Sequence, residues 1–161
     1  MRTHSRLWSK PTGRVDCGFA VYRSVPKTTR GFQLVTEPSY TYPAIVERVV
    51  DGDSVWGFID VGFGTTVRQK LRLHAIDAPE QSTPRGKEAS DYIVSLLPPG
   101  AAMVIRSYSS DAFGRYLADI FCPAQPITTP SRNTFDQILS SGIFLNRELL
   151  ARNLAIRVQI Y

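Results

Sequence analysis

From Ala44 onward the chain is a series of short β-rich runs interrupted by one helical repeat, and this order limits the folds it can adopt. Residues 44–50 and 54–61 are the first two runs, and a turn at residues 62–64 leads to a third at residues 66–76. Alternation along the third run predicts a strand with one basic face and one apolar face. The basic face carries Arg68, Lys70, Arg72 and His74, and the apolar face carries Leu71, Leu73 and Ala75.

The helical repeat follows the third strand. Thr83 is suited to cap its N-terminus, Pro84 fits its first turn, and the Pro-Pro-Gly sequence at residues 98–100 ends it. Between these limits, apolar residues at helical spacing predict a face that packs on the sheet. These residues are Ala89, Tyr92, Ile93, Leu96 and Leu97.

Two further strands and a last helix complete the pattern. The strands are predicted at residues 102–108 and 115–121, and the helix at residues 145–152. The connection over residues 123–142 holds three prolines, with a short helix near residues 135–139 as an option. Three strands, a helix, two strands and a helix is the order of an OB-fold, a barrel that binds oligonucleotides. We therefore predict an α+β protein with a five-stranded OB-like barrel and two helices.

Residues 1–42 differ from this barrel in composition. They hold seven of the 19 lysines and arginines but only two of the 14 acidic residues, so the net charge of +5 lies in this segment. They show no sustained period, and we predict an irregular or partly disordered basic arm with one strand at residues 18–22, followed by a domain at residues 43–161. A basic arm fits a polyanionic partner, because neutralising phosphates releases counterions. A solubilising tail is the alternative.

Composition also limits the cellular compartments in which the protein is expected. No run approaches the roughly 20 apolar residues that span a bilayer, so no membrane association is expected. No apolar segment of signal-peptide length follows the basic start, which favours a cytoplasmic protein. The start is also Arg-rich and acid-poor like a mitochondrial transit peptide, so organellar targeting stays an alternative. Cys17 and Cys122 make neither a zinc motif nor a disulfide framework. Separately, the protein is expected to be a monomer.

Two turns of the predicted barrel carry acidic side chains. Residues 51–54 read Asp-Gly-Asp-Ser between two strands, and residues 111–115 read Asp-Ala-Phe-Gly-Arg before another. The second turn delivers Arg115 at the beginning of its strand. Taken alone, each turn is better explained by the ordinary preference of Asp and Gly for turns than by a function.

A third segment is more specific. Arg72 lies on the polar face of its strand, and two carboxylates, Asp77 and Glu80, follow at the end of that strand. Pro79 keeps the residue before it extended, so the two acids project from a stiff turn. A surface ion pair is the alternative, but such a pair does not need a rigid proline between its acids. The segment therefore indicates a functional site.

In order, spacing and strand–turn context, these three segments resemble the motifs of the staphylococcal (micrococcal) nuclease family. The resemblance covers about residues 44–161, with the 123–142 connection as an insertion, and leaves out the arm. It implies a nuclease that hydrolyses phosphodiester bonds of DNA or RNA with little sequence specificity and leaves 3′-phosphate ends. It also implies that a divalent cation, calcium with magnesium as the alternative, is held by the carboxylates of Asp53 and Asp77 and the main-chain carbonyl of Ala78.

The resemblance assigns catalytic roles to the remaining charged residues. Glu80 matches the proposed general base, which takes a proton from the attacking water. Arg72 and Arg115 match two arginines that bind the phosphoryl oxygens, for which the planar guanidinium is better suited than a lysine ammonium. Asp51 is expected to support the metal ligands through hydrogen bonds.

The nucleotide contacts are matched only in part. Phe113 and Tyr161 match aromatic positions beside the nucleotide in the family, and ordinary packing is the alternative for both. Ala112 and Gln159 stand where relatives carry a lysine and a tyrosine, so two further contacts are missing. Well-known members also continue into a further helix; either the arm or the 123–142 connection supplies that cover, or the fold is marginal.

A non-catalytic nucleic-acid-binding module is the rival function. Degenerate members of the family keep the barrel and lose the charged site. Here every charged position of the motifs is present, which favours catalysis over binding alone. These positions are Asp53, Arg72, Asp77, Glu80 and Arg115.

Overall fold

The computed structural model describes residues 7–8, 14–24, 40–131 and 133–159. The elements follow one another in an order that is mostly strands. They are β1 (Leu7–Trp8), β2 (Arg14–Asp16), β3 (Tyr22–Ser24), β4 (Thr41–Asp51), β5 (Ser54–Gly62), β6 (Thr65–Leu73), β7 (Ile76–Asp77), α1 (Pro84–Leu96), β8 (Ala102–Ser110), β9 (Tyr116–Cys122), α2 (Thr134–Ser141), β10 (Ile143–Phe144), α3 (Leu145–Ala151) and β11 (Ile156–Arg157).

Within residues 40–159, as far as the structure describes them, five strands close a barrel. β4, β5 and β6 form an antiparallel meander, and β6 pairs in parallel with β9. β9 pairs antiparallel with β8, which returns to β4 and closes the sheet. The predicted five-stranded OB-like fold is confirmed.

The described residues form three helices, one more than predicted. The additional helix, α2, occupies the connection that the sequence left mostly irregular. Its buried Ile138 packs against Ala102 and Val104 on β8, so tertiary packing stabilises an eight-residue helix that begins shortly after Pro130. Across the described ranges, no helix combines the length and the apolar character that crossing a membrane requires.

Helix α1 forms as its capping residues predict. The Thr83 hydroxyl accepts a hydrogen bond from the backbone N–H of Gly86 at 3.0 Å, and Pro84 is the first residue of the helix. Ala89 and Ile93 are fully buried against the barrel. α1 thus covers one end of the core and brings the chain back to β8.

The predicted third strand is broken near its end. β6 stops at Leu73, Ala75 has a left-handed φ of 60°, and β7 begins at Ile76. The prediction of one strand over residues 66–76, with Ala75 on its apolar face, was therefore wrong at this end. β7 pairs with β11 instead of continuing the barrel, and the break allows Asp77 to reach back to Arg72.

The described part of residues 1–42 contains a small antiparallel sheet of β1, β2 and β3. The strand predicted at residues 18–22 was wrong, because Gly18, Phe19 and Ala20 all have positive φ and form the turn between β2 and β3. The turn inserts Phe19 into the barrel core, with its ring 4.5 Å from that of Tyr116. The rest of the predicted irregular arm lies outside the described residues.

Candidate active site

Two acidic residues and one arginine form the centre of the site. Arg72, on β6, donates from Nη1 to Asp53 Oδ1 at 2.7 Å and from Nη2 to Asp77 Oδ1 at 2.6 Å. Asp53 comes from the β4–β5 turn and its side chain is only 7% exposed, whereas the side chain of Asp77 is 50% exposed. The guanidinium therefore joins a buried carboxylate to one that faces solvent.

Asp53 also contacts the loop that carries the other acids. Its Oδ2 accepts a hydrogen bond from the backbone N–H of Ala78 at 3.1 Å, and its Oδ1 accepts one from the hydroxyl of Ser54 at 3.0 Å. Asp51 Oδ1 accepts from the backbone N–H of Asp53 at 3.1 Å and so holds the turn. These bonds fix the orientation of the Asp53 carboxylate.

Gly52 explains how the turn comes so close to that loop. A Cβ built on Gly52 would lie 2.7 Å from Cβ of Ala78 and 2.9 Å from Cβ of Ala89 on α1. Only a residue without a side chain fits between the loop and the helix. The glycine thus brings Asp53, Asp77 and Ala78 to one place.

The electrostatics of the centre favour a permanently charged arginine. Partial burial opposes the charge of Arg72, but the negative carboxylates of Asp53 and Asp77 outweigh it and raise the pKa of Arg72 above its ordinary value. An arginine in this environment stays protonated at every physiological pH.

Glu80 lies on the exposed side of the same loop. Its carbonyl accepts hydrogen bonds from the backbone N–H of Thr83 at 2.9 Å and from the Thr83 hydroxyl at 2.7 Å. The loop also packs on Gly86 of α1, where a Cβ would overlap the Glu80 carbonyl. The backbone of Glu80 is therefore fixed, while its carboxylate has no hydrogen bond or ion pair to any other residue that the structure describes.

Arg115 is held inside its own turn. Asp111 Oδ2 accepts from Nε of Arg115 at 2.7 Å, and Asp111 Oδ1 accepts from the backbone N–H groups of Phe113 and Arg115 at 2.9 and 3.0 Å. Burial opposes the ionisation of Asp111, but these hydrogen bonds outweigh it and lower its pKa. The acid is thus an ionised anchor for the arginine.

Arg72 and Arg115 line one cleft of ≈ 330 Å³. Register explains this, because β6 and β9 run in parallel and Leu71 lies opposite Tyr116, so the two arginines are close neighbours across the strand pair. Asp111, Phe113, Leu117, Val158 and Gln159 are among the other residues that line the cleft. It offers two guanidinium groups and an aromatic ring to a ligand.

Comparison with known proteins gives the family of the chain. A family model described as "Staphylococcal nuclease homologue" matches residues 70–161, more than half of the chain. The chain belongs to the staphylococcal nuclease family. The match includes Arg72, Asp77, Glu80 and Arg115 and begins after the turn that carries Asp53.

Individual relatives agree with the family. "Endonuclease YhcR" of Bacillus subtilis (strain 168) is 33% identical over 154 residues, which cover 84% of this chain and 12% of the relative. "Probable staphylococcal-like nuclease CAN2" of Oryza sativa subsp. japonica is 42% identical over 55 residues, or 34% of this chain and 15% of the relative. "Staphylococcal-like nuclease CAN1" of Arabidopsis thaliana is 38% identical over 53 residues, or 33% and 16%. This chain spans less than a fifth of the length of each of these relatives.

Most of the family positions identified from the sequence lie together in the structure. Asp51, Asp53, Arg72, Asp77 and Ala78 form one hydrogen-bonded group. Arg115 and Phe113 lie on the cleft that Arg72 also lines, and Glu80 follows Ala78 on the same loop. Phe113 is 83% exposed, so its ring does not pack in the core. Tyr161 lies outside the described residues.

Sequence reasoning missed three residues that shape the site. Asp111 anchors Arg115, Gly52 permits the close approach of the turn, and Ser54 donates to Asp53. Residues 111–115 form a turn and not a helix, so the four-residue spacing of Asp111 and Arg115 was no signal for an ion pair. For Gly52 and Ser54 the sequence offered only turn chemistry.

The donor set of the Asp53–Asp77 centre fits a hard divalent cation. One guanidinium bridges the two carboxylates through hydrogen bonds of 2.7 and 2.6 Å, and carboxylate oxygens are the ligands that calcium and magnesium prefer. In the described parts of the chain, no group of three or more His, Cys, Asp or Glu side chains is arranged to hold a metal ion. A cation at this place would complete its shell with main-chain oxygen, water and substrate, which is the open coordination that catalysis needs.

Proposed function

We propose that residues 43–161 form a metal-dependent nuclease domain that hydrolyses phosphodiester bonds of DNA or RNA with little sequence specificity. The observation that carries the proposal is the shared cleft of Arg72 and Arg115, next to the paired carboxylates of Asp53 and Asp77. Two guanidinium groups on one cleft suit a phosphodiester, and paired carboxylates suit the cation that such chemistry uses. The relatives whose names include "endonuclease" or "nuclease" support the same activity.

Each residue has a role in the proposed reaction. Arg72 and Arg115 bind the non-bridging phosphate oxygens and stabilise the charge that these gain in the transition state. Asp111 keeps Arg115 in its orientation through the 2.7 Å hydrogen bond. Glu80, exposed and without a described partner, takes a proton from the attacking water.

The proposed reaction is hydrolysis of the bond between phosphorus and the 5′ oxygen. The water oxygen attacks phosphorus, its proton passes to Glu80, and the bond from phosphorus to the 5′ oxygen breaks. The leaving 5′ oxygen takes a proton from solvent water, so that the products carry a 3′-phosphate and a 5′-hydroxyl. A calcium or magnesium ion held by Asp53, Asp77 and the carbonyl of Ala78 would supply Lewis-acid stabilisation of the phosphate.

Phe113 is proposed to stack on a base next to the scissile bond. The 83% exposure of the ring and its distance of 5.3 Å from the Arg115 guanidinium support this role. Stacking does not read the base, which agrees with low sequence specificity. Tyr161 is proposed as a second aromatic contact from its family position alone.

The test is an incubation of the full chain with end-labelled single-stranded DNA, duplex DNA and RNA in calcium, in magnesium and in EDTA. We expect cleavage with one of the two cations, none in EDTA, and 3′-phosphate ends on the products. A Glu80→Gln variant keeps the size of the side chain and should lose roughly a hundredfold in rate. Tight binding without cleavage under every condition would instead establish a non-catalytic binding module.

A further inference from the structure

A second cavity, of ≈ 360 Å³, lies beside the Asp53–Asp77 centre, and we call it the Arg85 pocket. A cavity of this size falls at the lower end of the range for ligand sites in proteins. Three segments of the chain form it, namely the loop after β7, the first turn of α1, and the stretch from the end of α3 to β11. Its lining includes Asp77, Pro79, Arg85, Asn153, Ala155 and Ile156.

The Arg85 pocket and the cleft meet at one β-ribbon. β7 pairs with β11, and the register places Asp77 opposite Ile156. Ile76 of this ribbon lines the cleft, whereas Asp77 and Ile156 line the Arg85 pocket. Asp77 also reaches the cleft, because its Oδ1 accepts the 2.6 Å hydrogen bond from Arg72. The Asp77 carboxylate therefore stands between the two cavities.

Arg85 is held in a fixed position in this pocket. Its Nη2 donates to the main-chain carbonyl of Asn153 at 2.7 Å, which ties the guanidinium to the wall formed by the end of α3. The residue after Arg85 is Gly86, where a Cβ would overlap the Glu80 carbonyl. The first turn of α1 is thus packed tightly on the loop that carries Asp77, and the guanidinium keeps its place relative to that acid.

The charge of Arg85 is not balanced by an acid. Both arginines of the cleft bind carboxylates, whereas Arg85 forms no ion pair with any other residue that the structure describes. A guanidinium has five N–H donors, and the bond to Asn153 occupies one of them. Asp77, the acid in the lining, is already paired with Arg72. Ile156, which is 66% exposed, adds an apolar wall. The pocket therefore suits an anion attached to a less polar group.

We propose that the Arg85 pocket binds the substrate nucleotide that lies across the scissile phosphate from the nucleotide in the cleft, with Arg85 on its phosphate. A polynucleotide extends in both directions from the bond that is cut, so a phosphate held by Arg72 and Arg115 has a neighbour on each side. The cleft, with Phe113, takes one neighbour, and the Arg85 pocket adjoins the other side of Asp77. Guanidinium groups bind phosphates through charge-assisted hydrogen bonds. The proposal rests on the proposed function, because the cleft defines where the scissile phosphate lies.

Dinucleotides test the two sides separately, because each contains a single diester bond. The substrates are a dinucleoside monophosphate, the same compound with an added 5′-terminal phosphate, and the same compound with an added 3′-terminal phosphate. Each added phosphate places charge on one known side of the scissile bond. The full chain is compared with Arg85→Gln, which removes the positive charge, and with Arg85→Lys, which keeps it. Arg147→Gln removes an exposed arginine of α3 and is the control.

Hydrolysis is measured in the cation that supports cleavage. We expect Arg85→Gln to lower kcat/KM about tenfold for one of the two phosphorylated dinucleotides, since one charge-assisted hydrogen bond is lost, and to leave the other two substrates unchanged. Arg85→Lys should recover most of the loss, because the ammonium still attracts the phosphate. Arg147→Gln should match the wild type for all three substrates.

Binding is measured in EDTA, by competition with a fluorescent oligonucleotide, so that the pocket is tested apart from the reaction. Arg85→Gln should raise the Kd of one phosphorylated dinucleotide about tenfold and leave the other two values unchanged. Equal values for Arg85→Gln and the wild type would overturn the proposal. An equal loss for all three dinucleotides would also overturn it, because it would indicate a general effect on the fold. Selective binding without cleavage would contradict the proposed function alone, whereas cleavage that Arg85→Gln leaves unchanged would contradict the pocket alone.

Discussion

The two arginines of the cleft are positioned in different ways. Arg72 is held by carboxylates that lie 19 residues before it, in the β4–β5 turn, and five residues after it, on β7 outside the barrel sheet. Arg115 is held by Asp111, four residues before it in the same turn. One arginine depends on the closed fold, and the other depends on a local motif.

Two arginines with the same proposed role are thus held in place by different kinds of structure, one by tertiary contacts and the other by a single turn. The Arg72 group requires β6 to break at Ala75 and the turn at Gly52 to approach α1. The Arg115 group requires only a turn with an acid at its first position and Gly114 in the left-handed region. Partial unfolding of the barrel should therefore displace the Arg72 side chain before it displaces the Arg115 side chain.

The largest expected effect is on activity, where both arginines should behave alike. Arg72→Lys and Arg115→Lys should each lower kcat/KM about 100-fold or more, because a preorganised donor to the phosphate is typically worth about 3 kcal/mol in the transition state. The measurement is hydrolysis of a fluorescent oligonucleotide, with Arg147→Lys on α3 as the control. Near wild-type rates for either cleft variant would remove that residue from its role.

The next effect is on stability, where the two arginines should differ. Arg72→Ala leaves the 7% exposed side chain of Asp53 without its cation, and we expect a loss of about 2–3 kcal/mol in the free energy of unfolding. Arg115→Ala should cost about 1 kcal/mol or less, because Asp111 keeps its bonds to the backbone. Urea denaturation in EDTA measures both values.

A second substitution distinguishes the effect of the unpaired Asp53 charge from the effect of lost packing. In the Arg72→Ala background, Asp53→Asn removes the unpaired charge and should recover part of the lost stability. An equal cost for the two arginine variants, or no recovery with Asp53→Asn, would contradict the proposed difference between a fold-dependent and a local support.

The sequence predicted the regular parts of this molecule well. The alternation of β6 and the capping of α1 by Thr83 follow from short-range rules and appear in the structure. The Arg115 turn is equally local, and so its arginine was identified together with its motif. These features need no knowledge of distant residues.

Other missed features depend on distant contacts. Ala75 adopts a positive φ, which an alternating pattern cannot reveal, and the break matters because Ile76 and Asp77 then pair with β11. The apolar run at residues 18–22 resembles a strand, yet it turns because Phe19 packs on the rings of Tyr42 and Tyr116. Nothing near Gly52 in the sequence indicates that Ala78 and Ala89 will come within contact distance.

The smallest expected effect is a pH dependence of the stability that Asp111 contributes to the Arg115 turn. The pKa of Asp111 is lowered below its ordinary value of 3.8, since the hydrogen bonds from Arg115 and Phe113 outweigh its burial. A carboxyl group of this kind contributes stability that is fully present above its unfolded pKa and is lost as the pH falls through its folded pKa. The contribution should therefore be constant at neutral pH and disappear only on the acid side of 3.8.

Comparison of the wild type with Asp111→Asn tests this window, because asparagine keeps the acceptor oxygen and removes the charge. The difference in free energy of unfolding between the two proteins should stay level from pH 7 to pH 5 and shrink as the pH falls below 3.8. In the Arg115→Ala background the difference should be smaller at every pH, because the main cationic partner is gone. A difference that grows toward acid pH, or that is unchanged without Arg115, would show that Asp111 supports the turn through its shape and not through its charge.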